Sequence, residues 1–175
     1  MKAKTLLPLT LPMPLLITIF TCLILMPAQL TAQTLSSTDN TNFQIINNGA
    51  TLTCDDANNL ETALVTFSDN STQTFTKRSR SQIEDLLDAD QNNPEITNTC
   101  TSGITDMSEL FNDRVTFNQN IGSWDVSQVT DMNRMFRGIF SNKHRFNQDI
   151  GSWDLSQVTD MSFMFNNAAF NQEIG

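Results

Sequence analysis

Asn118-Gln-Asn-Ile-Gly-Ser-Trp-Asp125 returns almost unchanged as Asn147-Gln-Asp-Ile-Gly-Ser-Trp-Asp154, and opens a third time at Asn171-Gln-Glu-Ile-Gly175. A second block alternates with it: Ile104-Thr-Asp-Met107, Val129-Thr-Asp-Met132 and Val158-Thr-Asp-Met161. The spacing is 25 residues from Ile104 to Val129 and 29 from Val129 to Val158. A period in that range is the mark of a repeat architecture, in which small units that cannot bury a core alone stack on one another. The extra residues fall in the stretch 137–145, between intact flanking blocks, and read as a lengthened loop at one edge.

Within each copy the apolar positions suggest local structure. Met107, Leu110 and Phe111 are spaced i, i+3, i+4, as are Met132, Met135 and Phe136, and Met161, Met164 and Phe165. That spacing predicts one face of a short helix. Thr105, Thr130 and Thr159 stand where they can cap it, with Asp106, Asp131 and Asp160 in the first turn, where a carboxylate suits the helix dipole. Phe117, Phe146 and Phe170 then begin short extended runs ending at Ile121, Ile150 and Ile174. Trp124 and Trp153 keep strict register with those isoleucines, which favours a core role over sugar stacking. The expected fold is therefore α/β: a leucine-rich-repeat-like right-handed solenoid, with one short parallel strand and one short helix per repeat, and an N-terminal cap. Two full repeats and one incomplete repeat occupy 104–175.

Outward from the repeats, Ser81-Gln-Ile-Glu84 has the form of a capping box, and Ile83, Leu86 and Leu87 follow on one helical face. This predicts a capping helix and lead-in over 80–103, closing an end that would otherwise expose apolar core. Residues 33–79 read as a linker followed by a short β-rich region. Within it, 43–54 suggests a hairpin turning at Asn47-Asn48-Gly49, and 60–67 and 72–76 suggest further strands.

Residues 1–32 have the layout of a secretory signal: Lys2 and Lys4, an apolar stretch broken by Pro8, Pro12 and Pro14, and a small residue, Ala32, before the expected cut. Cleavage is favoured over a retained membrane anchor, so no membrane insertion is expected afterwards. The expected location is secreted or cell-surface. Cys54 and Cys100 then remain, and an even count in an exported chain favours a disulfide over two buried free thiols.

Ten Lys+Arg against 19 Asp+Glu make the chain acidic, which disfavours nucleic acid as a partner. His144 is the only histidine, so no nucleophile–His pairing is indicated, and an enzyme is not expected. As the lone histidine of a polar insertion, its simplest reading is a solvated side chain. Asp88, Asp90 and Asn92 alternate like calcium ligands, but Asn93 and Thr99 stand where such a loop needs Gly and Glu. No catalytic, cofactor or metal residues are assigned. The candidate partner-contact residues are Asn120, Asp149 and Glu173, which vary while staying polar, and Lys143, His144 and Arg145 in the insertion. Asn118, Asn147 and Asn171 fall in register with Gln119, Gln148 and Gln172; the simpler reading is a polar ladder satisfying backbone groups.

The run Val-Thr-Asp-Met-x-x-Met-Phe, then Phe-Asn-Gln-x-Ile-Gly-Ser-Trp-Asp, resembles the BspA-like leucine-rich-repeat surface proteins, with the 25-residue unit of the Mycoplasma-lipoprotein type. The likeness covers about 104–175. It implies an exported repeat protein used for protein binding or cell-surface adhesion, with a protein or cell-surface ligand as partner, and it supplies no catalytic residues. The 29-residue repeat is longer than the common unit. A third copy ending at Gly175 suggests a fragment or a prematurely ended frame. The alternative function is a structural spacer, or an accessory region of a larger secreted hydrolase.

Overall fold

The computed structural model describes residues 35–175. The expected signal segment, 1–32, lies outside them. Two small sheets come first. Strands β1 (Leu35–Thr38), β4 (Thr62–Phe67), β5 (Thr72–Lys77) and β6 (Thr99–Cys100) form one sheet in the order β1-β4-β5-β6. All its pairs are antiparallel except β5 with β6. Strands β2 (Gln44–Ile46) and β3 (Thr51–Thr53) form a separate hairpin, with Ile45 opposite Leu52. Its turn places Asn47, Asn48 and Gly49 at positive φ, a region that Asn and Gly tolerate. On β4, Ala63, Val65 and Phe67 alternate inward and pack with Phe43, Leu52 and Phe75 as one core.

Helix α1 (Arg80–Ala89) follows. Its capping box lies two residues before the expected one. Ser79 accepts from the Gln82 backbone N–H, and the Gln82 side chain accepts from the Ser79 N–H. Glu84 is then free to bond Arg80, one turn back, at 2.9 Å. Ile83 and Leu87 face a second core that runs through the repeats to Met164.

The expected right-handed, leucine-rich-repeat-like solenoid is not formed. Among the described residues the only α-helix is α1, the sheets are antiparallel or mixed and precede the repeats, and 104–175 holds turns and single β-bridges. The reason lies in the backbone donors. In the first copy the N–H groups of Met107, Glu109, Phe111 and Asp113 bond the carbonyls of Asp131, Asn133, Met135 and Arg137 in the second. In the second copy Met132, Arg134, Phe136 and Gly138 bond Asp160, Ser162, Met164 and Asn166 in the third. Donors used between copies are lost to a helix. Glu109, Arg134 and Phe163 also sit at positive φ (58°, 53° and 58°), which breaks each segment into consecutive turns. The carboxylates of Asp106, Asp131 and Asp160 accept from the N–H two residues ahead, at 2.7–2.8 Å, closing Asx turns instead of starting helices.

The apolar positions still face inward. Met107, Leu110, Phe111, Met132, Met135 and Phe136 are buried, since one turn after another returns the same face to the core as a helix does. Two columns of rings run across the copies. Phe111, Phe136 and Phe165 stack at 5.2 and 5.6 Å, and Phe117, Phe146 and Phe170 at 6.0 Å each. Within each copy the columns touch at 4.0–4.1 Å. Trp124 and Trp153 are core residues, and their indole N–H groups donate to the carbonyls of Ile96 and Ile121.

The Cys54–Cys100 disulfide is formed, with Cα atoms 6.3 Å apart. It ties the chain leaving β3 to β6. Beside it Ser102 donates to the buried Asp125 carboxylate at 2.5 Å and accepts from the Cys54 N–H at 2.9 Å. These bonds, with Leu52 N–H to Ser123 O at 3.1 Å, join the sheets to the first repeat.

Candidate functional site

The three extended runs 115–121, 144–150 and 168–174 lie side by side: the Arg145 N–H donates to Val115 O at 2.9 Å between the first and second, and parallel bridges at His144–Ala168 and Ile150–Ile174 join the second and third. Phe117, Phe146, Ile121 and Ile150 point inward. The alternate residues point out, so this outer face is where the sequence-derived contact residues meet. Asn120, Asp149 and Glu173 are exposed in one row. Asn120 and Asp149 are also structural, since each side chain accepts from the N–H of the glycine two residues on, at 3.0 and 2.9 Å. The Asn row forms the polar ladder: Asn147 N–H to Asn118 Oδ1 and Asn171 N–H to Asn147 Oδ1, both 2.9 Å. Gln148 and Gln172 bond into the same ladder, at 3.0 and 3.2 Å.

At the other end of the runs lies the insertion. The chain leaves the stack at Gly138, where a Cβ would stand 2.2 Å from Asn167 O, so only glycine fits. It turns tightly through Ile139 and Asn142, held by the Asn167 side-chain amide on Ile139 O, and rejoins the register at His144. Phe140 at the tip is fully exposed. Lys143 and Arg145 are exposed and, with Val115, Thr116, Asn142 and Ala169, line a cleft of about 400 Å³.

His144 corrects the expectation of a solvated side chain. It is completely buried, between two cationic neighbours that point out. Its Nδ1 accepts from the Phe146 N–H at 3.2 Å, so Nε2 carries the proton and donates to Phe111 O at 3.0 Å. Its ring stands edge-on to Phe136 at 5.7 Å. Burial pushes its pKa below the usual histidine value, against the opposing pull of the Phe111 carbonyl and the Asp113 charge. It anchors the insertion and presents nothing to a partner. The spacing carries the signal for this: His144 stands two residues before Phe146, as Val115 does before Phe117, which marks it as part of the run.

Asp88 and Asp90, the calcium-like pair, are engaged locally. Asp88 pairs with Arg114 at 2.5 Å, and Asp90 accepts from the Asn92 N–H at 2.9 Å. Elsewhere several carboxylates are held below their ordinary range. Asp154 and Asp160 owe this to hydrogen bonds from Ser156 and Ser162. At Asp106, burial acts to raise the pKa, but bonds from Ser108 and the Arg80 charge outweigh it. The arrangement offers shape, charge and an exposed ring.

Residues 81–175 match a family described as Mycoplasma protein of unknown function, DUF285. The chain belongs to the DUF285 family. No curated protein and no solved structure matches it. The DUF285 match begins at the second residue of α1, so the rest of that helix and all three copies of the repeat lie within the family region, while β1–β5 precede it.

Proposed function

We propose that this chain is an exported attachment protein, binding a protein or cell-surface partner through its outer face, with the insertion as the principal contact. One observation carries this reading. On an otherwise acidic molecule, the insertion sets a fully exposed Phe140 beside a cleft edged by Lys143 and Arg145. An exposed ring supplies contact area, and paired cations steer and orient a partner bearing acidic groups. The resemblance of the repeat signature to BspA-like surface proteins, and the signal-like layout of residues 1–32, support an extracellular setting.

The test compares beads coated with the full chain and with a Phe140→Ser/Lys143→Glu/Arg145→Glu variant, applied to a cultured cell monolayer. The three side chains are exposed, so the variant should keep the parent Tm. Adhesion by the parent that falls with rising salt and is absent in the variant is the expected result. Equal adhesion by both, or none by the parent, contradicts the proposal.

A further inference from the structure

Ten Lys and Arg, less Lys2 and Lys4, leave eight cations among the described residues, against 19 Asp and Glu. On such a surface a cation finds an acceptor easily, and most do. Arg78 pairs with Glu95, Arg80 with Glu84 and Asp106, Arg114 with Asp88, and Arg134 with Glu109. Lys77 donates to the Cys54 carbonyl at 2.8 Å. Among the described residues, three cationic side chains have neither a hydrogen bond nor an ion pair: Arg137, Lys143 and Arg145. All three flank the insertion. Lys143 and Arg145 alternate with the buried His144, so both stand on the outer face. Thr116 and Ala169, from the two neighbouring runs, line the same cleft with short side chains and leave room beside Arg145. Further along the face the Asn ladder is already bonded from run to run, and Asp149 and Glu173 are exposed.

We infer that this cleft takes an extended acidic peptide segment whose carboxylates lie two residues apart. The inference rests on the insertion being the contact surface, and it names the chemistry of the partner. Alternate residues of an extended backbone are roughly 6.5 Å apart. Lys143 and Arg145 follow that period, and so do acids at positions i and i+2 of an extended peptide. Two ion pairs therefore form in a single register, with the Arg145 fork able to take a carboxylate at two points and Lys143 acting as a point charge. Phe140, fully exposed at the tip, supplies area for an apolar side chain beside the acids. A small anion engages one cation and leaves the other cation and the ring uncovered. A long polyanion fits worse: continuing along the face it meets Asp149 and Glu173, and the net negative charge of the chain repels it.

Fluorescence polarisation on the whole chain tests this with two labelled heptapeptides of one composition. The first carries two aspartates separated by one residue, with a leucine beyond them; the second carries the same residues with the aspartates adjacent. The first should bind saturably, and the second about threefold more weakly, because it keeps one ion pair and loses the other. Lys143→Glu/Arg145→Glu should weaken the first peptide at least about tenfold at an unchanged Tm. Equal affinity for the two peptides overturns the inference, since charge alone then decides. Undiminished binding by the variant also overturns it, as does heparin that saturates the chain when neither peptide binds, which would assign the cleft to a sulfated glycan. Cell adhesion that needs the insertion, without peptide binding, sinks this inference and leaves the attachment reading standing. Spacing-dependent peptide binding without adhesion upholds the inference and removes the attachment reading.

Discussion

Phe136 touches both ring columns, lying 4.0 Å from Phe146, 5.2 Å from Phe111 and 5.6 Å from Phe165, with no exposed surface. Its removal leaves a cavity that stacked rings on two sides cannot collapse to fill. Phe136→Ala should cost about 3–5 kcal/mol, read as a fall in denaturant midpoint. A loss within error places the ring outside the core. His144, edge-on to the same ring, makes stability depend on pH. The folded ring is neutral, with its pKa below the usual 6.5, and the unfolded ring binds a proton more readily. The contribution is intact above the unfolded value, is lost as pH falls below it, and levels off beneath the depressed folded value. Between pH 7 and 5 the parent should therefore lose more stability than His144→Asn. Equal slopes from urea titrations at several pH values would show that the ring binds a proton as readily in the folded chain as in the unfolded one, and that burial does not lower its pKa.

At the scale of elements, Arg80 holds α1 to the first repeat by bonding the outward carbonyls of Asp106 and Ser108. Arg80→Met keeps the stem but strands those acceptors. The expected cost is about 1–3 kcal/mol, with faster exchange at the start of the repeats and an unchanged insertion. The disulfide joins residues 46 apart, so its reduction should destabilise the folded chain by about 4 kcal/mol, measured against the oxidised form in parallel melts. The hairpin was legible because Asn47-Asn48-Gly49 demands a turn whatever surrounds it. Burial at 107, 110 and 111 was legible too, since apolar spacing reports which face is inside. The same spacing does not report where the N–H groups go. Three- and four-residue steps fit both a helix and a succession of turns, and only the neighbouring copy decides between them. A left-handed residue such as Glu109, Arg134 or Phe163 carries no mark that separates it from a helical one. His144 was misplaced because the insertion around it is polar, while the register that buries it returns one residue before Arg145.

For the whole molecule, the repeats supply cohesion and the insertion supplies difference. The ladders between copies are built from backbone and repeated side chains, so they tolerate an excursion such as 139–143 on the outer face without loss of register. That economy places Phe140, Lys143 and Arg145 at the surface of a rigid support. The central claim is that alternate N–H groups of the turn segments, from Met107 to Asp113 and from Met132 to Gly138, bond the next repeat instead of closing a helix. Scalar coupling across hydrogen bonds tests it most directly, on the uniformly labelled chain. The structure predicts couplings from the amide nitrogens of Met107, Glu109, Phe111 and Asp113 to the carbonyl carbons of Asp131, Asn133, Met135 and Arg137. Couplings from Phe111 and Asp113 to carbonyls four residues back in their own repeat would restore the helix and contradict the account.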